Sequence, residues 1–224
     1  MRRFVKESSL SLAALLLFAG ALVGQAFAGW HQFNDQQVAS GFDSIGLVDY
    51  LASADFAVAV MENWQSEYLQ FLVYILLTIW LVQKGSPESK QLDQVGLEPD
   101  SDQKLGEHAQ PDSPRWARTG GWRTTVFSWS LALVMGAIFV LAWLAQSIAG
   151  RAAYNETRLE QLRDPVSWTA YLTNADFWER TLQNWQSEFL AIGSMVVLSI
   201  YLRQRGSAES KPVGEPHAST GKEN

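Results

Sequence analysis

Four apolar blocks, separated by strongly polar stretches, constrain this 224-residue chain more than any other feature of its sequence. The blocks are residues 10–29, 68–82, 126–150 and 189–202. At about 1.5 Å of rise per residue, the first and third are long enough to cross the roughly 30 Å hydrocarbon core of a bilayer as helices. A single large water-soluble core is therefore excluded as the simplest interpretation.

The second and fourth blocks are too short to cross alone, by about 6–8 Å. Each is preceded by the polar sequence Asn-Trp-Gln-Ser-Glu, at residues 63–67 and 184–188, which we call the NWQSE motif. A motif that enters the headgroup region as the first turn of a helix supplies the missing length. The predicted transmembrane helices are therefore four, at about residues 10–29, 64–83, 126–150 and 185–204.

The distribution of Lys and Arg predicts the orientation of these helices. Basic residues occur at both termini and between the second and third blocks, whereas the loop between the first two blocks has none. The loop between the third and fourth blocks carries four arginines interspersed with acids, a weak departure from the pattern. The positive-inside rule places both termini and the central segment in the cytoplasm.

The chain contains one unit twice, because residues 5–90 and 126–211 align without a gap at a constant offset of 121. Roughly a third of the aligned positions are identical, and the best matches are polar. They include the NWQSE motifs and the sequences QKGSPESK at 83–90 and QRGSAESK at 204–211. With two spans in each unit, both copies point the same way, which is the parallel type of repeat.

The predicted fold is an all-α polytopic membrane protein, a tandem repeat of two-helix units with short helices in the two outer loops. The first repeat covers residues 1–90 and the second covers residues 122–211. The acidic linker at 91–121 and the tail at 212–224 lack apolar periodicity, so we expect both to be disordered.

An alternative for the first block is a secretory signal peptide cleaved after Ala26-Phe27-Ala28. The block follows a basic start and ends in small residues, as such peptides do. Its repeat counterpart, however, is internal and must be a true span. We therefore expect residues 1–28 to be retained.

The two NWQSE motifs and the two G-S-x-E-S-K sequences that follow the second and fourth spans resemble a family of small bacterial membrane proteins of uncharacterised function. The resemblance covers nearly the whole chain except the linker and the tail. It implies a duplicated two-span unit in the bacterial cytoplasmic membrane. It implies no reaction, substrate or cofactor.

The most informative ionisable residues are Glu67 and Glu188, because each lies at the entrance of a short span, where a carboxylate needs water or a partner. One interpretation is a pair of acids that bind protons, cations or a ligand; the other, which we favour, is a helix-entry anchor. We expect the amide of the first span in each copy to meet this acid, with an asparagine one turn away. The predicted polar cluster is Gln25, Asn63, Glu67, Gln146, Asn184 and Glu188.

Several functional classes are excluded or disfavoured by composition. The absence of cysteine excludes disulfides and thiolate metal sites, and the three histidines lie in different segments. A net charge of −6 without a basic stripe argues against nucleic acid. No nucleophile–base pair, metal motif or phosphate-binding loop is visible, so we expect no enzyme activity and no cofactor.

A non-catalytic membrane scaffold or envelope-associated protein is the favoured function. A small transporter or channel that uses Glu67 and Glu188 is the alternative, and a membrane enzyme is the least favoured. The lipid bilayer is the predicted partner. The G-x-x-x-G step of Gly20 and Gly24 offers a homodimer contact, although packing within the four-helix unit explains it as well.

Overall fold

The computed structural model describes residues 2–221, and within that range it contains helices and connecting turns but no strand. The α-helices are α1 (Arg2–Glu7), α2 (Ser9–Ala39), α3 (Leu47–Leu51), α4 (Ala54–Trp80), α5 (Arg115–Thr119), α6 (Gly121–Ser128), α7 (Ser130–Glu160), α8 (Trp168–Tyr171) and α9 (Ala175–Tyr201). Two 3₁₀ turns, Leu92–Gln94 and Gly106–His108, lie in the acidic linker. The all-helical class expected from the sequence is confirmed.

The helices α2 and α7 each have 31 residues. Among the described residues they are the two helices that are long and apolar enough to cross a membrane. Their apolar side chains are largely exposed; Leu16 and Leu17 of α2, for example, are 74% and 76% accessible. Such a surface is costly in water, so it suggests association with a membrane.

Ser53 and Asn174 predict caps for helices that begin near residues 54 and 175 and continue through the NWQSE motifs into the predicted spans. The helices α4 and α9 begin there and end slightly earlier than expected. At their starts, Ser53 Oγ accepts a hydrogen bond from the backbone N–H of Phe56 at 3.2 Å, and Asn174 Oδ1 accepts one from Asp176 at 2.9 Å. They end at Trp80 and Tyr201, three residues before the predicted ends at 83 and 204. These side-chain caps are the expected ones for such residues.

The early ends have a common local cause in the loop that follows each helix. The N–H of Gln83 donates to Ser89 Oγ at 2.8 Å, and that of Gln204 donates to Ser210 Oγ at 2.9 Å. Because these amides bond to a serine six residues ahead, they are not available for a helical bond to the preceding turn.

The short helices α3 and α8 lie in the loops that precede α4 and α9. The sequence predicts that the second begins with Asp164 as its cap and Pro165 as its first residue, but α8 begins at Trp168, with Ser167 as the cap. The side chain of Asn155 explains the difference, because it bonds both the N–H and the carbonyl of Val166, at 2.8 and 3.0 Å. These two hydrogen bonds keep the backbone out of a helical conformation as far as Ser167.

The chain divides into two compact units. One comprises the residues up to Met61 together with Ala145–Leu172, and the other comprises Glu62–Leu144 together with the residues from Thr173 onward. The first unit contains the short helices α3 and α8, whose tyrosines Tyr50 and Tyr171 are 5% and 1% exposed. The second unit contains both NWQSE motifs and therefore the candidate site.

Candidate functional site

The two NWQSE motifs, which are 121 residues apart in the sequence, contact each other in the fold. Trp185 Nε1 of α9 donates a hydrogen bond to Gln65 Oε1 of α4 at 2.8 Å. Ser66 Oγ of α4 lies 3.4 Å from a carboxylate oxygen of Glu188. Gln65 and Ser66 are 0% and 1% exposed, so both buried polar groups need partners. The facing helix provides one for Gln65 Oε1, whereas the carbonyl of Asn63, 2.9 Å from Ser66 Oγ, provides one within α4.

An ion-pair network lies one turn before the motifs. The guanidinium of Arg180 contacts Glu62 at 3.4 Å and Asp176 at 3.1 Å, so it joins a carboxylate of α4 to one of its own helix. Burial raises the pKa of Glu62 above its ordinary value, and the positive charge of Arg180 only partly offsets that effect. Burial acts to lower the pKa of Arg180, but the carboxylates of Asp176 and Glu62 outweigh it and the net shift is upward.

These residues line an open polar cleft of about 330 Å³. Its lining residues are Glu62, Asn63, Asp176, Glu179, Arg180, Gln183 and Asn184. Three carboxylates, one guanidinium and three amides give it a negative balance and many hydrogen-bonding groups, which suits a small polar or cationic ligand. Its acids do not converge on one point, and within residues 2–221 no group of three or more His, Asp or Glu side chains could hold a metal ion.

An aromatic cluster around Trp143 of α7 fixes the orientation of Trp185. The ring of Trp143 stacks on Phe139 with centroids 5.6 Å apart, and it lies 5.8 Å from Trp185. Phe177 and Trp178 complete the cluster, at 6.0 and 6.1 Å from Trp143. Because aromatic pairs favour tilted and offset contacts of this kind, the cluster supports the ring that donates to Gln65.

The predicted polar cluster is only partly brought together. Asn63 and Asn184 line the same cleft, and the charges of Glu67 and Glu188 act on each other within the second compact unit. Glu67 is exposed and Glu188 is half-buried. Gln25 and Gln146 belong to the first unit, so their pairing with Glu67 and Glu188 stays a prediction.

The sequence-based prediction selected the asparagine and the glutamate of each motif and missed Gln65, which makes the buried contact. Val58, Gln65 and Leu72 of α4 recur every seven residues, and a Cβ added at Gly136 of α7 would lie 3.6 Å from the side chain of Leu72. A sevenfold recurrence marks the side of a helix that faces a neighbouring helix. The amide of Gln65 therefore lies on the side of α4 that packs against a neighbouring helix. The seven-residue spacing was the signal in the sequence that could have identified Gln65.

A second polar arrangement closes the loops after α4 and α9. Lys211 is 4% exposed, and its ammonium lies within hydrogen-bonding distance of four backbone carbonyls. These belong to Gly85 at 2.7 Å, Ser219 at 3.0 Å, His217 at 3.1 Å and Pro216 at 3.2 Å. All three donors of the ammonium are thereby satisfied without a carboxylate.

The last described residues of the chain complete this arrangement, which we call the tail clasp (Gly85, Ser86 and Lys211 with residues 216–221). Gly85 N–H donates to Thr220 Oγ1 at 2.8 Å, and Gly221 N–H donates to the carbonyl of Ser86 at 3.0 Å. Gly85 has φ +87°, and a Cβ there would collide with the carbonyl of His217. Residues 222–224 lie outside the described part, and the predicted disorder of the linker and tail stays a prediction.

We expect Arg180→Gln to lower the stability of the protein, because it leaves two carboxylates facing each other in a partly buried cleft. For an ion pair that is partly buried, the expected loss in the free energy of unfolding is about 1 kcal/mol, or roughly 2–4 °C in Tm for a chain of this size. Arg163→Gln, at an exposed position, is the matched control. The measurement is thermal unfolding in detergent.

The same variant has an expected pH dependence. A carboxyl whose pKa is raised by folding stabilises the folded state while protonated, and that stability is lost as the pH rises through the raised pKa. Without Arg180, the defect should therefore grow from acidic to alkaline pH, and Glu62→Gln in the same chain should remove part of it. Equal Tm values for the Arg180 and Arg163 variants would contradict the network's role.

Gly85→Ala and Gly206→Ala provide a matched pair for the tail clasp. Both glycines have nearly the same left-handed φ, +87° and +86°, so both variants bear a similar backbone strain. Only Gly85 has tail atoms within contact distance. We expect Gly85→Ala, but not Gly206→Ala, to speed amide hydrogen exchange in peptides covering residues 212–221. Equal exchange in the two variants would refute the contact.

The comparisons with known proteins identify a family but no characterised relative. Neither the curated proteins nor the solved structures contain a match to this chain. The model of one family, described as a domain of unknown function (DUF6766), matches residues 1–222. The match covers both copies of the NWQSE motif, the linker between the repeats and nearly all of the tail. The chain therefore belongs to the DUF6766 family of proteins of unknown function.

Proposed function

We propose that the chain is an integral protein of the bacterial cytoplasmic membrane that crosses the bilayer four times, with both termini inside, and acts as a non-catalytic scaffold. The observation that carries the four spans is the correspondence between the long helices. The bounds of α2 and α7, and likewise those of α4 and α9, differ by 121 at both ends. Two apolar helices that could cross a membrane thus each have a 27-residue companion of matching position.

Local bonding supports the tandem repeat at the same offset. Asn34 bonds the N–H and carbonyl of Ile45 at 2.8 and 3.0 Å, and Asn155 bonds those of Val166 at the same distances. The loop serines behave alike, since Ser89 and Ser210 accept from equivalent glutamines. A repeat that reproduces side-chain bonds as well as helix bounds is best explained by duplication of a two-helix unit.

The scaffold function is supported by the way the motif residues use their polar groups. Gln65 and Trp185 bond each other, and Ser66 contacts Glu188. The presence of the motif in both copies therefore serves the contact between α4 and α9. The exposed apolar surfaces of α2 and α7 then face lipid. In this proposal the protein offers its loops and linker to other envelope components and transforms nothing itself.

A small transporter or channel is the second candidate, and the polar cleft is the observation that favours it. The cleft combines residues of α4 and α9, and of its charged members only Asp176 has a charged counterpart in the other copy, Asp55. At the offset of 121, Arg180 corresponds to Ala59 and Glu62 corresponds to Gln183. Duplicated transporters commonly place their sites where repeats meet.

Cysteine accessibility tests the proposed membrane topology. The chain has no cysteine, so Ser44→Cys and Ser101→Cys each create a single labelling site. We expect a membrane-impermeant maleimide to label intact cells or spheroplasts at position 44 and to reach position 101 only after lysis. The unmodified chain is the control for background. Labelling of position 101 from outside would overturn the topology.

Reconstitution into liposomes separates the scaffold from the transporter. For a scaffold we expect no protein-dependent flux of protons or monovalent cations above that of empty liposomes. A flux that is reduced when the cleft variants Glu62→Gln and Glu179→Gln are combined, and that persists in Glu7→Gln, would replace the scaffold proposal with the transporter. Glu7 lies in α1, outside the cleft, and its side chain is exposed.

A further inference from the structure

The helices α5 and α6, which precede the candidate span α7, have an unusual charge for this acidic protein. Residues 113–128 contain three arginines and neither Asp nor Glu, whereas the whole chain has a net charge of −6. Their sequence, SPRWARTGGWRTTVFS, also contains two tryptophans, a valine and a phenylalanine. One residue, Trp129, separates the end of α6 from the start of α7.

The two helices form a compact hairpin, which we call the basic hairpin (residues 115–128). Gly120 and Gly121 both have positive φ, +71° and +64°, and make the corner between the helices. Thr124 Oγ1 donates to the carbonyl of Trp116 at 2.7 Å, and Ala117 is 5% exposed between them. The corner and this bond define the shape of the hairpin.

The hairpin exposes its aromatic and apolar side chains together. Trp122 is 67% and Trp116 is 41% exposed, and their rings pack edge to face with centroids 6.1 Å apart. Val126 and Phe127, on the following turns, are each 39% exposed. Exposed tryptophans beside apolar residues are typical of segments that lie at the level of lipid headgroups.

The three arginines belong to the same hairpin as these side chains and lack acidic partners in the described residues. None of Arg115, Arg118 and Arg123 forms an ion pair with any residue in the described range 2–221. The guanidinium of Arg123 lies 5.6 Å from the centre of the Trp122 ring, and Arg118 bonds only the carbonyl of Pro111. Their charge is therefore available to an external anion.

We propose that the basic hairpin docks on the anionic phospholipids of the cytoplasmic leaflet. The arginines bind headgroup phosphates, and the two tryptophans lie at the boundary between headgroups and acyl chains. Guanidinium groups match the geometry of phosphate oxygens, and basic clusters beside a membrane span are attracted to anionic lipid. The inference rests on the proposed membrane location, which brings the hairpin within one residue of the bilayer surface.

Native mass spectrometry of the full-length protein in detergent tests this proposal, with phosphatidylglycerol and phosphatidylcholine as the probes. We expect phosphatidylglycerol to bind more tightly. Each basic residue near an anionic lipid surface is worth about a factor of five in affinity, so Arg115→Gln, Arg118→Gln and Arg123→Gln combined should weaken binding by about 100-fold. The matched control combines Lys84→Gln, Lys104→Gln and Arg205→Gln, which removes the same charge from exposed positions on the same proposed side.

Three outcomes decide the proposal. A loss of phosphatidylglycerol affinity that is confined to the hairpin variant, with unchanged helix content by circular dichroism, supports the proposal. Equal losses in the two triple variants, or equal affinity of the unmodified protein for both lipids, overturn it. Flotation of the same proteins with liposomes keeps the proposed membrane location separate, because a chain that fails to float contradicts that location instead.

Discussion

The contact between the two NWQSE motifs is the interaction on which the arrangement of α4 and α9 depends. An amide and a hydroxyl that are almost fully buried would each cost free energy if they were left without partners. The carbonyl of Asn63 supplies the partner of the Ser66 hydroxyl within α4, and Trp185 supplies that of the Gln65 amide oxygen from the facing helix. A cluster of aromatic rings holds Trp185 in the orientation that it needs. The pairing fixes the rotation of both helices about their axes. The Glu62–Arg180 contact one turn away and the loops beyond the helix ends are positioned as a consequence.

Much of the fold follows from the sequence because the strongest signals are periodic and repeated. The helical class and the starts of α4 and α9 were predicted, since apolar length and capping residues act locally. The helix ends were less predictable. Ser89 and Ser210 reach back six residues to bond a backbone amide, and no helix propensity describes that bond. The predicted start of α8 was wrong for a similar reason, because the side chain of Asn155 forms hydrogen bonds with the backbone of Val166, eleven residues away.

The candidate site was only partly predictable, for a reason of chemistry rather than of pattern. Charged residues at the entrance of a span attract attention, so Glu67 and Glu188 were selected. The buried contact is made instead by the neutral side chain of Gln65, whose importance depends on what faces it. Arg180 has no counterpart in the first copy, so the repeat gave no hint of the network that it forms. A duplicated sequence is informative where the copies agree, and three-dimensional contacts are needed where they differ.

The environment of Lys211 makes the reactivity of its amine a measure of whether the tail clasp is formed. A primary amine reacts with acylating reagents only when it is accessible and unprotonated, and here it is 4% exposed, surrounded by carbonyls, with its pKa lowered by burial. Lys84, in the loop that follows α4, is exposed. The rate of acylation of Lys211 relative to that of Lys84 therefore measures how often residues 216–221 leave the tail clasp. An acetylated Lys211 could not be accommodated among those four oxygens, so the same modification, once made, would keep the clasp open.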